Sequence, residues 1–162
     1  MKAIHFAVFA VIAALFVVSI GAGMYFRNGE QNDGGDAPPM DPEVKGMELV
    51  LTVDGKEVKV AWEDNPSVDA LKVLAKETLT INMSRYGGFE QTGSIGKSIV
   101  SDDTHIDVGS GDVVLYNSRQ VCLYFNDNSY DFTRLGKITG MTESEITKML
   151  DKSGVTAVLT LR

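Results

Sequence analysis

Apolar and polar positions alternate along most of the chain after residue 47, and the alternation lays out its elements. Leu49, Leu51 and Val53 recur at every second position, and Val58, Val60 and Trp62 do the same on the far side of Asp54-Gly55. An Asp-Gly pair between alternating runs predicts a hairpin, because both turn residues must take positive φ. Asn65-Pro66 then opens a helix, since asparagine caps it and proline fits the first turn. Val68, Leu71, Leu74 and Ala75 recur at helical spacing and give that helix a buried face to about Glu77. Leu79, Ile81 and Met83 return to a strand pattern, and Ile99-Val100 reads as extended chain. Residues 105–108, 112–116, 121–125 and 130–135 predict four more strands. Thr142 and Glu145 form a capping box, with Met141 and Ile146 placed as its hydrophobic staple, so a second helix runs to about Asp151. Val155, Ala157, Leu159 and Leu161 alternate in a last strand.

This makes a mainly β domain of about eight short strands with a helix after the second and another before the last. Short strands with turn signals between them predict a sandwich or a closed barrel, and two amphipathic helices suit the open ends of a barrel. No internal repeat is visible.

Upstream the pattern changes. Residues 6–26 carry Ser19 and Tyr25 as their only notably polar members, and as a helix they would span roughly 30 Å, the thickness of a bilayer core. Residues 1–27 are read as an uncleaved signal anchor, a transmembrane helix, with a cleaved signal peptide as the competitor. Lys2 and the terminal amine against Arg27 bias the N-terminus slightly toward the cytoplasm. The domain is then expected on the extracytoplasmic side of the cell membrane, or secreted if cleavage occurs. Residues 28–46, with Gly34-Gly35, Pro38-Pro39, Pro42 and scattered acids, read as a linker, leaving residues 47–162 as the folded domain.

Charge narrows the function. The chain is −7 overall, and residues 47–162 hold twelve Lys or Arg against seventeen Asp or Glu with no basic cluster. Phosphate backbones require such a cluster, so no nucleic-acid partner is expected. A single cysteine, Cys122, excludes an intrachain disulfide and a cysteine-based zinc site.

Residues 81–96 concentrate the candidate chemistry. Arg85, Tyr86, Phe89, Glu90 and Gln91 stand among four glycines, where backbone turns sharply or approaches something closely. Either the segment contacts a ligand or it is a bulged barrel strand and its loop. Glu90 with Arg85 or Arg134 forms either a buried ion pair or a ligand clamp. Other motifs fail. Gly93-Ser94-Ile95-Gly96-Lys97-Ser98 lacks the earlier glycine and the following helix of a phosphate loop. Asn126, Asp127, Asn128 and Asp131 lack the late glutamate of a calcium loop, and His105 has no partner in sequence. No cofactor and no metal are expected.

Ser84-Arg85-Tyr86-Gly87-Gly88-Phe89-Glu90, Gly111-Asp112-Val113-Val114-Leu115-Tyr116 and residues 130–138 resemble a family of small microbial cyclophilin-like domains. The likeness runs from about Met47 to Arg162 and implies an eight-stranded barrel closed by two helices. Arg85, Phe89 and Gln91 also echo the arginine and the aromatic-to-glutamine pattern of the prolyl isomerases. The spacing is shorter, no proline or methionine intervenes, the two glycines precede the phenylalanine, and Trp62 lies far from the pocket tryptophan's place. With the N-terminal anchor, the chain is read as a membrane-tethered, cyclophilin-like and non-catalytic module for a peptide or small ligand. A divergent prolyl isomerase and an interaction module of a cell-surface assembly are the alternatives. The ligand residues this reading points to are Arg85, Tyr86, Phe89, Glu90, Gln91 and Arg134.

Overall fold

The structure, a computed structural model, describes residues 41–162. The expected membrane segment and most of the acidic linker lie outside the described residues. Among the described residues no helix is long and apolar enough to cross a membrane.

Strand β1 (Leu49–Val53) turns through Asp54 and Gly55, at φ 49° and 78°, into β2 (Lys56–Val58). Those are the two positive angles that an Asp-Gly hairpin needs. After Lys59 alone comes β3 (Val60–Trp62). Helix α1 (Pro66–Ala75) is capped as expected: the Val68 N–H donates to Asn65 Oδ1 at 3.0 Å. The Asn65 amide donates in turn to the Arg134 carbonyl at 2.8 Å, tying the cap to the sheet. Strands β4 (Leu79–Tyr86), β5 (Glu90–Ser94) and β6 (Thr104–Val108) follow. Next are β7 (Asp112–Tyr116), β8 (Gln120–Tyr124) and β9 (Asn128–Ile138). Helix α2 (Glu143–Leu150) begins on the Thr142–Glu145 capping box, and β10 (Gly154–Leu161) ends the fold.

The strands pair antiparallel in the order β2-β1-β10-β4-β5-β8-β7-β9-β3, with β6 beside β9. Since β2 and β3 are two halves of one run, that run forms both margins of the sheet and nearly closes it into a barrel. The Lys59 carbonyl between them accepts the Thr139 N–H at 2.9 Å, so the break in the ladder is one residue wide. Trp62 Nε1 donates across the seam to the Leu49 carbonyl at 2.7 Å.

The described strands number ten rather than eight. One addition is the split at Lys59. The other is β5, which lies wholly inside the glycine-rich stretch, where glycine and polar side chains hide the alternation. Residues 99–100, read as extended, join no ladder, although Ile99 N–H donates to the Ser118 carbonyl at 2.8 Å. The Asn82 side chain, at a glycosylation-type Asn-Met-Ser, is exposed between the inward Ile81 and Met83.

Inside the barrel Leu51, Ile81, Leu115, Leu123, Leu135 and Leu159 pack together, and the helices complete this core with Leu71, Ile146 and Leu150. Each such side chain contributes roughly 1.5–3 kcal/mol by leaving water. The end of the stretch read as linker joins the packing. Val44 is fully buried, and Lys76 on α1's cap holds Asp41 at 2.7 Å and Glu43 at 2.6 Å.

Candidate functional site

The glycine-rich stretch divides into a turn and a strand, and each glycine role is local. Gly87 and Gly88 take φ 58° and 79° between β4 and β5, a backbone conformation that side chains resist. Gly93 is required by packing, because a Cβ there would lie 2.6 Å from Ile81 Cγ2 and 2.9 Å from the Asn82 carbonyl oxygen. No ligand is needed to explain either.

Alternation along β5 sends its polar residues to opposite sides of the sheet. Gln91 points inward and is fully buried. Its Nε2 donates to the carbonyls of Leu150 at 2.7 Å and Lys152 at 2.8 Å, satisfying acceptors left open at the end of α2. Its Oε1 has no partner. Gln91 thus ties the helix to the barrel.

The arginines are engaged elsewhere, and neither pairs with Glu90. Arg85 Nε lies 2.6 Å from Asp151 Oδ1 at the end of α2, both groups half-exposed, with the guanidinium 5.7 Å from the Phe125 ring centre. Arg134 Nη1 lies 2.8 Å from Asp112 Oδ1 and its Nη2 donates to the Asp107 carbonyl at 3.2 Å. The expected Arg–Glu90 pair or clamp does not form, because Asp151 and Asp112 take the two guanidiniums. His105 finds a partner too: Asp131 Oδ1 lies 2.9 Å away across the β6–β9 register. Among the described residues no three metal-binding side chains converge.

Glu90 points outward, into a second apolar cluster on the barrel's outside. Val114, Cys122, Tyr124 and Phe132 are buried there beneath β6, whose Val108 and Ile106 pack over them. Six rings connect in one path. Tyr86 meets Phe89 edge-on at 5.9 Å, and Phe89 stacks on Tyr124 at 6.0 Å and 3°. Tyr124 meets Phe132 at 5.8 Å, and Phe132 meets Tyr116 and Tyr130 at 6.0 and 5.8 Å. Tyr86 is exposed, and Phe89, Tyr116 and Tyr130 are half-buried, so the path runs from solvent over a buried middle and back out.

At that middle the Glu90 residue is 6 % exposed, and its Oε2 has no hydrogen-bond partner. Burial pushes its pKa above the ordinary glutamate value, with hydrogen bonds from Tyr124 and Cys122 pulling the other way. The carboxyl in turn raises both neighbours: burial first, then Glu90, lift the Tyr124 hydroxyl and the Cys122 thiol well above their usual values. Cys122 is therefore an inert thiol, lying 3.3 Å from Thr92 Oγ1. Asn128 Nδ2 donates to the Tyr124 hydroxyl at 3.1 Å, which leaves that hydroxyl's proton for Glu90. The Tyr116 hydroxyl is raised by burial and by the charge field of Tyr130, Cys122, Tyr86 and Glu90.

Of the six expected ligand residues, the fold gathers Tyr86, Phe89 and Glu90 and sends Arg85, Gln91 and Arg134 to separate tasks. Sequence reasoning missed Tyr116, Tyr124, Tyr130 and Phe132. Their signal was present: residues 112–116 and 121–125 are apolar on both faces, and a strand of that kind is covered on both sides.

A cleft of about 350 Å³ lies around the end of α2, lined by Ser110, Phe125, Asp127, Glu143, Thr147 and Asp151 among others.

The solution structure of the hypothetical protein AF2241 from Archaeoglobus fulgidus shares this fold with a TM-score of 0.51 at 17 % identity. The likeness covers 70 % of this chain and 93 % of that one. None of the curated proteins matches the sequence significantly. The sequence model of the cyclophilin-like family matches residues 51–162, from the middle of β1 to the last residue. By that match the chain belongs to the cyclophilin-like family.

Proposed function

We propose that this is a membrane-tethered, non-catalytic binding module, and that its peptide or small ligand lies on the outer aromatic face around Glu90. The observation that carries the reading is the Glu90 Oε2 atom, buried among six connected rings without a partner. Buried polar atoms are nearly always bonded, so an orphan of this kind calls for an explanation, and a missing ligand is one. Aromatic rings with polar tips are also the usual anchors of binding surfaces.

Isomerase chemistry has less support. It would need Arg85 and Gln91 free to face a twisted amide, whereas Asp151 holds one and the α2 carbonyls hold the other. Residues 1–27 supply the tether, with the barrel on the extracytoplasmic side.

Two measurements on the full chain in detergent test this. In a coupled assay on an alanyl-prolyl peptide it leaves isomerisation at the uncatalysed rate. Acceleration that disappears in Arg85→Ala would overturn the non-catalytic reading. N-terminal sequencing of the membrane-extracted protein returns Met1, and a mature start near Ala22 would remove the tether.

A further inference from the structure

We infer that the outer face recognises a lysine side chain of a partner polypeptide, whose ammonium pairs with Glu90 Oε2 beside Tyr86 and Tyr124, the residues opposite Glu90 on the two neighbouring strands. The inference rests on the binding reading above and adds the chemical class of the ligand.

Among the described residues no cation pairs with Glu90. The basic groups bordering the face are already committed, Arg85 to Asp151 and Arg134 to Asp112. What the fold gives Glu90 instead is a hydroxyl, a thiol and an apolar wall. An acid so placed has two ways to lower its free energy: it can take a proton, or it can accept a cation from outside. Aromatic rings favour the second, because their faces attract cations and their bodies cover an alkyl stem. Tyr86 on β4 and Tyr124 on β8 stand opposite Glu90 in the ladders, so two tyrosines flank the carboxyl on its own face.

Lysine fits this site better than arginine or a quaternary amine. One carboxyl oxygen is open, which suits a point charge rather than a bidentate fork. Because that oxygen lies below the surface, the ligand must be a thin stem with its charge at the tip. Access runs past Tyr86, the exposed ring, which sits directly before the Gly87-Gly88 turn and touches Phe89 edge-on. Moving it aside breaks one ring contact. A polypeptide source follows from the length of the ring path, whose flanks extend on both sides of the carboxyl and exceed what a single small amine covers. The domain's acidic balance favours a basic partner as well.

The chain has five tyrosines, so fluorotyrosine labelling gives a readable one-dimensional fluorine spectrum of the full protein in micelles. Tyr→Phe variants assign the signals. The probes are acetyl-Gly-Lys-Gly-amide, the same peptide with norleucine for lysine, n-butylammonium, and a neutral proline tetrapeptide. The lysine peptide is expected to move the Tyr86 and Tyr124 signals saturably. The norleucine peptide and butylammonium should bind at least tenfold more weakly, and Glu90→Gln should weaken the lysine peptide at least tenfold.

Equal binding of the norleucine peptide, or no effect of Glu90→Gln, would overturn the charge assignment. Equal binding of butylammonium would overturn the polypeptide source. If only the proline peptide moves the tyrosines, the lysine inference fails and the binding face stands. If no probe moves them, both fail. The norleucine comparison uses the unaltered chain, so the test does not depend on any variant folding.

Discussion

Two acids are buried on the outside of the same barrel, Asp112 at 5 % and Glu90 at 6 % exposure, and they are treated in opposite ways. Asp112 opens β7 and is satisfied on every side. Arg134 reaches one oxygen at 2.8 Å, Lys137 the other at 3.2 Å, and the Gly109 N–H donates to that second oxygen at 2.7 Å. Glu90 opens β5 and has no cation among the described residues, with one oxygen unpartnered. The difference teaches that burial alone does not mark a functional acid. For these two acids, what separates scaffold from candidate site is whether the described residues supply a cation.

The largest effect that would break this comparison lies on the satisfied side. Asp112→Ala should destabilise the domain by about 2–3 kcal/mol, measured as a fall in the urea midpoint, through the orphaned Gly109 N–H and the unpaired Arg134 and Lys137. Both cations keep solvent contact, so the loss stays below that of a fully buried pair. A neutral result would mean Asp112 is no more built in than Glu90.

Next comes Tyr124→Phe, at about 1–1.5 kcal/mol, because it strips Glu90 of a hydroxyl donor and Asn128 of its acceptor. It should also push the Glu90 pKa higher still, visible by carbon NMR of labelled glutamate.

Glu90→Gln should act with the opposite sign, stabilising the domain by about 1 kcal/mol at neutral pH by removing a charge that burial disfavours. The folded pKa of Glu90 is raised above the ordinary 4.5, so the folded state holds its proton more tightly than the unfolded state does. That favourable contribution is fully present below about 4.5 and is lost as pH rises through the folded value. Wild type should therefore close the gap to Glu90→Gln on acidification toward 4.5. A destabilised Glu90→Gln at pH 7 would place Glu90 with Asp112 as scaffold.

The smallest effect is expected from Arg85→Ala, about 0.5 kcal/mol in the same melts, since its pair with Asp151 is half-exposed. A loss of several kcal/mol would show an electrostatic link from Arg85 to the interior that its geometry does not suggest.

Much of the scaffold was legible because its determinants are local. Asp54-Gly55 needs only its own two residues to set the turn, and Thr142 with Glu145 needs four to start α2. The strand pattern also gave the barrel. The site was less legible, because its meaning depends on contacts made at long range. Nothing near Arg85 in sequence announces Asp151, and nothing near Gln91 announces the carbonyls of Leu150 and Lys152. Without those partners the two residues look alike, as polar groups near glycine. Period-two counting from Phe89 could have set Glu90 and Thr92 on one side and Gln91 and Gly93 on the other. Which of those sides faced the interior was fixed only by the pairing of β5 with β8.

The single-residue seam at Lys59 bears on how the chain reaches this form. The hairpin of β1 and β2 can assemble from neighbouring residues, whereas β3 must find β9 across nearly the whole domain, Val60 against Ile138. Joining ends so far apart carries a loop-closure entropy that no nearby contact offsets in advance. Ring closure therefore follows formation of that hairpin. Until it happens, β3 and residues 136–138 of β9 stand as raw margins on which a second unfinished copy can pair.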